Sequence, residues 1–421
     1  MKMKKLISCF VLQGLVYAVV ACLCAGYSTA SQDYRHTPIN LHAKDILPKA
    51  LLKGENYKIA DEVKNDGLIN TYRLTTDYGP LTVESTAKLM IRITELKALK
   101  GMEELDRKGV FKDSVVEGVK APVKGVTDLV TSPVETSKDI VKGTGQFLSN
   151  VGRSILSDDP DQDNVLKVAL GYDVAKRKFA YEFGIDPYSS YSPVMDRLGQ
   201  IARAAVAGGL APKAAMSAID SDFGTALRIS STAKGMKELV RDNPPVELQK
   251  INRKKLEQMG VSPDLAQAFL NNYRYNPQEE TLLVGELESM KGVKGRDVFI
   301  SVANLAVEES VALHYRLVAQ MMAGYHTNVS PAAQIQNING VLHLRRKDGV
   351  LAFLAPVDFV FWTKEIDRKL NTIENSIKKM GGASGKELWI TGEIEKTARD
   401  MFEAMGWKVI ENAKDRLRLS V

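Results

Sequence analysis

All three cysteines of this 421-residue chain lie between positions 9 and 24, inside an apolar N-terminal stretch. Residues 6–24 carry no charged side chain and follow three lysines, which is the pattern of an export signal. Removal of residues 1–30 leaves a chain without cysteine, so no disulfide bond can hold the mature protein together. It must therefore be stabilised by hydrophobic cores, and a chain with 44% hydrophobic residues can form them.

The predicted cleavage site lies between Ala30 and Ser31. Signal peptidase accepts only small side chains just before the cut, and Ser28 and Ala30 supply them. A retained membrane anchor is the alternative, because the apolar run approaches the length that spans a bilayer. The polar residues from Ser31 onward favour cleavage, and we expect an exported protein of the periplasm or outer envelope.

Cys22 offers a second route of processing. The sequence Val19–Cys22 resembles a lipobox, at which a bacterial signal peptidase cuts before a cysteine that is then lipid-modified. Lipid at Cys22 would anchor the protein, whereas cleavage before Ser31 would release it. The small-residue site fits its own pattern better, since Val19 departs from the leucine typical of a lipobox.

The positive charge of the precursor is concentrated in the signal. The full chain has a formal net charge of +6, whereas residues 31–421 retain 54 basic and 51 acidic residues, because residues 1–30 hold three lysines and no acid. The remaining basic clusters, at 176–178 and 345–347, are short. A nucleic-acid partner would require a longer basic stripe, so we expect none.

Turn signals and apolar spacing predict an α+β protein that is mainly helical. Between residues 57 and 85, short alternating runs are separated by turns such as Asn65-Asp66-Gly67, which indicates a small antiparallel meander. From residue 86 to about residue 107 the apolar residues recur at helical spacing, so we expect one helix to cover the meander. Its apolar stripe consists of Leu89, Ile93, Leu96, Leu99 and Leu105.

The predicted organisation has five parts. They are a signal peptide (1–30), a small α/β N-terminal domain (31–109), an arm of eleven-residue repeats (110–160), a helical segment (161–243) and a C-terminal α+β domain (244–421). The last boundary is placed at the Asn-Pro-Pro sequence of residues 243–245, which is typical of a linker. In the C-terminal domain we expect helices followed by a mixed sheet. It contains a hairpin that turns at Asp348-Gly349 and a βαβ unit with strands at 388–390 and 407–410.

Residues 110–153 read as four elevens, VFKDSVVEGVK, APVKGVTDLVT, SPVETSKDIVK and GTGQFLSNVGR. Eleven residues make close to three helical turns, so equivalent positions return to one face. The pattern resembles the repeats of synucleins and exchangeable apolipoproteins, which implies contact with a membrane surface. This segment has six basic and five acidic residues, whereas a segment that binds anionic lipids needs a basic excess. The charge therefore favours the alternative, which is a helical arm or spacer.

Acidic residues at positions 159, 161 and 163 alternate as they do in a calcium loop. Asn164 stands where that loop needs glycine, and Leu170 stands where it needs glutamate. We therefore expect an acidic surface turn, and we expect neither a metal site nor a cofactor.

Residues 297–325 are predicted to form one long apolar helix, nearly encircled by protein. The candidates for catalysis are Glu309 and His314 in this helix and His326 just after it. Their spacing differs from that of zinc proteases, which place two histidines four residues apart around a glutamate. We expect His314 to be a buried, hydrogen-bonded histidine. A catalytic pair of Glu309 with either histidine is the alternative.

Two further positions in the C-terminal domain are unusual. Thr391-Gly392 follows a predicted strand and precedes a helix, where open sheets bind ligands. Asp358 lies inside an otherwise apolar strand. Each position also has a structural interpretation. Thr391 can cap the following helix, and the Asp358 carboxylate can accept backbone N–H groups at the end of its strand.

The second half of the chain contains MGVSPDLAQAFLNN, LVGELESMKGVKGRD and LWITGEIEKTARDMFEAMGWKV. These segments are similar to exported proteins of Gram-negative bacteria whose activity is uncharacterised. The resemblance implies no activity. We therefore expect a non-enzymatic interaction or scaffold protein of the cell envelope, with an envelope protein as its partner. Peripheral membrane contact through residues 110–153 and a hydrolase that uses His314 are the alternatives.

Overall fold

The computed structural model describes residues 34–110, 160–208, 212–216 and 231–419. The described residues from Arg35 onward belong to one compact unit. The signal, Cys22, the Ala30–Ser31 cleavage site and all of the repeat arm except its first residue and Pro160 lie outside the described residues. Within the described ranges, no helix combines the length and apolar character needed to cross a membrane.

The predicted N-terminal meander is confirmed as a five-stranded antiparallel sheet. Strand β4 is central, because it pairs with β2, β3 and β5, while β1 pairs with β3. The short helix α1 (Ala43–Ile46) and a single 3₁₀ turn follow β1. The strands are β1 (Ile39–His42), β2 (Tyr57–Ile59), β3 (Glu62–Asn65), β4 (Asn70–Thr76) and β5 (Gly79–Glu84).

Helix α2 (Thr86–Arg107) covers this sheet, as its apolar spacing predicts. The Ser85 hydroxyl caps the helix by accepting the N–H of Lys88. Every residue of the predicted stripe is buried, and the stripe shares one core with residues of the middle helices. These helices are α3 (Pro160–Glu182), α4 (Ser192–Gly208), α5 (Pro212–Met216) and α6 (Ser231–Asp242).

The expected acidic turn at residues 159–163 is wrong in its backbone conformation. Helix α3 begins at Pro160, so positions 161 and 163 lie in its first turns. Proline favours this outcome, because it is best tolerated in the first turn of a helix. A helical backbone cannot form the loop that surrounds a calcium ion.

The second core lies among the C-terminal helices and the C-terminal sheet. Three of these helices begin with proline at the first position, as the Ser-Pro, Asn-Pro and Pro-Pro pairs indicate. The helices are α7 (Pro245–Gln258), α8 (Pro263–Leu270), α9 (Pro277–Ser289), α10 (Arg296–Ala303) and α11 (Glu309–Asn328).

The predicted single helix over residues 297–325 is wrong. Helix α10 ends at Ala303, and α11 begins only at Glu309. The side-chain Nδ2 of Asn272 donates to the carbonyl oxygens of Asn304 (3.0 Å) and Ala306 (3.1 Å). These bonds satisfy carbonyl groups that the end of α10 leaves without a partner in the helix. Apolar spacing could not show the break, because a distant side chain stabilises it.

The C-terminal sheet has the strand order β12-β10-β8-β7-β6. Strands β6, β7 and β8 are antiparallel, and β8, β10 and β12 are parallel. The predicted hairpin and βαβ unit are therefore confirmed, with α12 (Lys364–Lys379) and α13 (Lys396–Ala404) as the crossover helices. The strands are β6 (Ala332–Ile338), β7 (Val341–Arg346), β8 (Val350–Ala355), β10 (Gly385–Ile390) and β12 (Trp407–Ile410).

A second, two-stranded parallel sheet pairs β9 (Phe359–Val360) with β11 (Glu393–Ile394), and helix α14 (Lys414–Leu417) follows the last strand. Gly392 lies very close to the backbone of Asp358, the residue just before β9. A Cβ atom on Gly392 would lie 1.8 Å from the carbonyl oxygen of Asp358. The Thr391 hydroxyl donates to the carbonyl oxygen of Val357 (2.8 Å). Thr391-Gly392 therefore serves packing between chain segments.

Asp358 joins the N-terminal sheet to the C-terminal domain. One carboxylate oxygen accepts the N–H of Asn70 at the start of β4 (2.8 Å), and the other accepts the N–H of Thr86 at the start of α2 (2.9 Å). The backbone N–H groups of Asp358 and Phe359 donate to the carbonyl oxygen of Leu68 (2.9 and 3.2 Å). Of the two interpretations of Asp358, the structure favours a carboxylate that satisfies backbone N–H groups.

We expect Asp358→Ala to lower the free energy of unfolding by about 2–3 kcal/mol, because it leaves two partly buried N–H groups without an acceptor. Urea unfolding followed by far-UV circular dichroism measures the loss. Asp400→Ala is the control, since Asp400 forms an exposed pair with Lys396 and its removal should cost less than about 1 kcal/mol. Equal losses in the two variants would contradict the joining role of Asp358.

Candidate functional site

A cavity of about 300 Å³ lies where helices from both halves of the chain meet. Its described walls are the first half of α2, the loop 184–190, and parts of α6, α9 and α11. Charged side chains of both signs line it. The acidic ones are Glu95, Asp186, Glu279, Glu286 and Glu309, and the basic ones are Lys88, Lys237, Arg274 and Arg316.

Helix α9 supplies one wall through a single face. Asn276 caps the helix, because its Oδ1 accepts the N–H groups of Gln278 (3.0 Å) and Glu279 (2.9 Å). Glu279, Leu282 and Glu286 follow at intervals of three and four residues, so all three project from the same side. The cap and the spacing together place two carboxyl groups along the cavity.

Helix α11 places a cation opposite α9. The Arg316 Nε lies 2.8 Å from Glu279 Oε2, and Arg316 Nη1 donates to Gln320 Oε1 (3.2 Å). Arg316 and Glu279 expose only 12% and 17% of their side chains. This ion pair fixes the arginine, so Glu279 is balanced by a cation of the protein itself.

Glu95 is balanced in the same way from α2. Its Oε2 lies 2.6 Å from Arg92 Nη1, and its Oε1 accepts a hydrogen bond from the Ser189 hydroxyl. The Arg92 guanidinium also lies over the Tyr191 ring, 4.1 Å from its centre. Glu95 therefore ties α2 to the loop 184–190, and its charge is satisfied within the wall.

Asp186 has neutral hydrogen-bond partners among the described residues. Its Oδ1 accepts the N–H of Tyr188 (2.8 Å), and its Oδ2 accepts Nδ2 of Asn276 (2.8 Å). Burial, followed by the negative charge of Glu279, raises the pKa of Asp186 to about 7. The group therefore exchanges its proton near neutral pH.

Glu286 is the least satisfied of these carboxyl groups. The residue is 6% exposed, and the described part of the chain offers its carboxyl no hydrogen bond. Burial raises the pKa of Glu286 to about 7, and the charge of Arg316 opposes that rise. Ionisation of a carboxyl group that is largely desolvated is unfavourable, so a cationic group bound beside Glu286 would favour its charged form.

Lys237 on α6 lies among these groups. Burial lowers the pKa of its ammonium group, and Arg316 lowers it further, whereas Asp186 and Glu279 raise it. The cavity thus concentrates groups whose protonation equilibria depend on one another, which is typical of a functional site rather than of a wall made for packing.

Six lining charges have no oppositely charged partner at ion-pair distance among the described residues. Three are carboxyl groups and three are cations, so the unpaired charges of the cavity balance in number. They are Asp186, Glu286 and Glu309, and Lys88, Lys237 and Arg274.

The structure separates the three catalytic candidates. Glu309 is exposed at the first position of α11 and lines the cavity, whereas neither His314 nor His326 is among the described lining residues. The Nδ1 of His326 accepts the N–H of Ala332 (3.1 Å) at the far end of α11. Twelve residues of helix separate the two histidines by about 18 Å along the axis.

The expectation that His314 is buried and hydrogen-bonded is wrong. The residue as a whole is exposed, while desolvation by the protein packed around the ring lowers the pKa of its imidazole. The ring contacts Tyr315 edge-on, with 5.6 Å between the ring centres, and no hydrogen bond to it is found in the described ranges. His314 is therefore neutral at physiological pH.

Asp186, Lys237, Glu279 and Glu286 were not identified from the sequence. The one available signal is the seven-residue spacing of Glu279 and Glu286 in α9, which places both on one face. Asp186 and Lys237 carry no comparable signal. Across the described ranges, no three acidic or histidine side chains are placed to hold a metal ion.

The fold and the site define an α+β protein with a charged cavity between its two cores. Comparison of the chain with known protein families, curated proteins and solved structures gives no match. The geometry of the cavity must therefore support any functional proposal.

We expect Glu286→Gln to raise the free energy of unfolding, relative to that of the parent protein, by more at pH 8 than at pH 5. The folded-state pKa of Glu286 lies above the ordinary 4.5, so its contribution to stability is complete below pH 4.5 and is lost as the pH rises through 7. The amide removes this loss, which amounts to about 2–3 kcal/mol at pH 8. Urea unfolding at both pH values measures the difference.

The exposed Glu309→Gln is the control for that measurement. In this variant, the difference in the free energy of unfolding between pH 5 and pH 8 should stay close to the difference in the parent protein. The same pH dependence in Glu286→Gln and in the parent would show that Glu286 ionises freely and does not have the environment described above.

Proposed function

We propose that the mature chain is a non-enzymatic binding protein of the cell envelope that takes up a small polar ligand in the cavity. The observation that carries this proposal is Glu286, a residue only 6% exposed that lines the cavity and whose carboxyl group is open to cavity solvent, with no hydrogen-bond partner among the described residues. A carboxyl group that contacts solvent only through a cavity keeps its acceptor sites available to a ligand that enters the cavity. A ligand donor there would replace water rather than break a hydrogen bond of the protein.

The size and composition of the cavity support binding. Its volume of about 300 Å³ is at the lower end of the range for small-molecule sites. Such sites combine apolar walls with a few placed polar groups, and here Leu282, Ala312 and Leu313 supply apolar surface beside the charges. A small charged molecule fits this description better than a lipid tail or a polymer.

The arrangement gives less support to a hydrolase. A general base must lie within hydrogen-bond reach of the group that it activates, and neither histidine is among the described residues that line the cavity with Glu309. The envelope location rests on the N-terminal sequence alone, and membrane contact through residues 110–153 rests on the repeats alone. An envelope protein partner remains a prediction.

We expect a screen of small polar compounds to identify ligands that raise the Tm of the mature chain by several degrees, because a ligand that binds only the folded state stabilises it. The screen includes sugars, polyamines, dicarboxylates and free peptides. Ala312→Leu places extra carbons in the cavity and should abolish the shift. Ala312 lines the cavity and is itself buried in the core, so the Tm of the ligand-free variant is measured alongside to show that the added carbons leave the fold intact.

Ala404→Leu is the matched control, since Ala404 is exposed at the end of α13. It should retain the full shift in Tm. A screen in which no compound shifts the Tm, or in which Ala312→Leu shifts as much as the parent, would contradict binding in this cavity.

A further inference from the structure

We infer that the ligand of the cavity is a small zwitterion, a free di- or tripeptide, whose ammonium group binds at Glu286 and whose carboxylate binds the cations near the start of α9. This inference rests on the proposed binding function. It follows from the unpaired charges of the wall, from their positions along α9, and from the way in which the remaining charges are already paired.

Ligands with charge of one sign leave half of the site unsatisfied. A polyamine would pair with the carboxyl groups and leave Lys88, Lys237 and Arg274 without partners, and a dicarboxylate would do the reverse. A zwitterion satisfies one group of each sign and adds no net charge to the cavity. Because partly buried charges are costly unless they are paired, the wall favours a molecule with both charges.

The paired charges limit where each end can bind. Glu95 is engaged by Arg92, and Glu279 is engaged by Arg316, so neither carboxylate needs an external cation. Glu286 has no such partner among the described residues and is the natural site for an ammonium group. Charge-assisted hydrogen bonds of this kind are about twice as strong as neutral ones.

The cations suited to the ligand carboxylate lie toward the other end of α9. Arg274 precedes the Asn276 cap, and its guanidinium lies over the Tyr273 ring, 4.4 Å from the ring centre. Tyr273 also lines the cavity and is 69% exposed. In the described ranges no acidic side chain pairs with the stacked arginine, so its guanidinium can bind a planar carboxylate beside the cavity.

The separation of the two ends fits a short peptide. Ten helical residues from Asn276 to Glu286 span about 15 Å along the axis. The glutamate and arginine side chains cover part of that distance from either end. An extended tripeptide spans about 10 Å, whereas the two charges of a single α-amino acid lie too close together to reach both ends.

The test measures binding of free tripeptides to the mature chain by calorimetry, with trialanine and a set of tripeptides of varied side chains as probes. Each active peptide is compared with its N-acetyl form, which lacks the ammonium group, and with its C-terminal amide, which lacks the carboxylate. We expect either modification to weaken binding about tenfold or more, since each removes a charge-assisted contact.

Glu286→Gln and Glu280→Gln separate the site from a general effect of removing a buried acid. Both glutamates are buried on α9, and burial raises the pKa of each to about 7. Glu280, however, accepts a hydrogen bond from Asn252 Nδ2 (2.8 Å) and does not line the cavity. Only Glu286→Gln should weaken the binding of free peptides. This variant should still bind peptides with a free C-terminal carboxylate more tightly than their C-terminal amides.

The possible results separate this inference from the proposed function. If compounds without both charges bind in the cavity and no free peptide does, or if the modified peptides bind as tightly as the free ones, the zwitterion inference is overturned and the binding function stands. Equal weakening in Glu280→Gln and Glu286→Gln also overturns it. If nothing binds in either screen, the inference and the binding function fall together.

Discussion

The carboxylate of Asp358 is the interaction on which the rest of the arrangement depends. It accepts one N–H from β4 and one from the first residue of α2, so a residue just before β9 fixes both the sheet and the helix of the N-terminal part. Helix α2 forms one wall of the cavity, and α9 and α11 form others. The position of α2 relative to those helices therefore depends on a contact outside the cavity, and the site is held by the fold as a whole.

Within the cavity the decisive factor is how charges are divided between the protein and a ligand. Arg92 and Arg316 neutralise two of the acids at short distances, and these pairs also lock helices and a loop together. Asp186 and Glu286 lack such partners and have pKa values raised by burial, so their protons compensate for the missing cations. A site of this kind exchanges a proton for a ligand charge, and binding and protonation are thermodynamically linked.

Much of the fold could be predicted because its signals are local. The turn at Asp66-Gly67, the stripe of α2 and the strand from Trp407 to Ile410 each depend on a few neighbouring residues, and each was placed correctly. The errors arise where a distant group decides. Asn272 stabilises the break between α10 and α11, and the packing around α11 leaves His314 an exposed residue, which a helical pattern cannot reveal. The cavity combines residues from α2 to α11, so its acids look like ordinary surface charges in the sequence.

The contact between Asn70 and Asp358 spans 288 residues of sequence, and it has a consequence for the order of folding. Local elements such as the N-terminal hairpins can form early, but β4 and α2 keep unsatisfied N–H groups until the C-terminal part arrives. Contacts of this sequence separation require a large loss of chain entropy before they contribute stability. The N-terminal sheet therefore reaches its final stability only after nearly the whole chain has been synthesised.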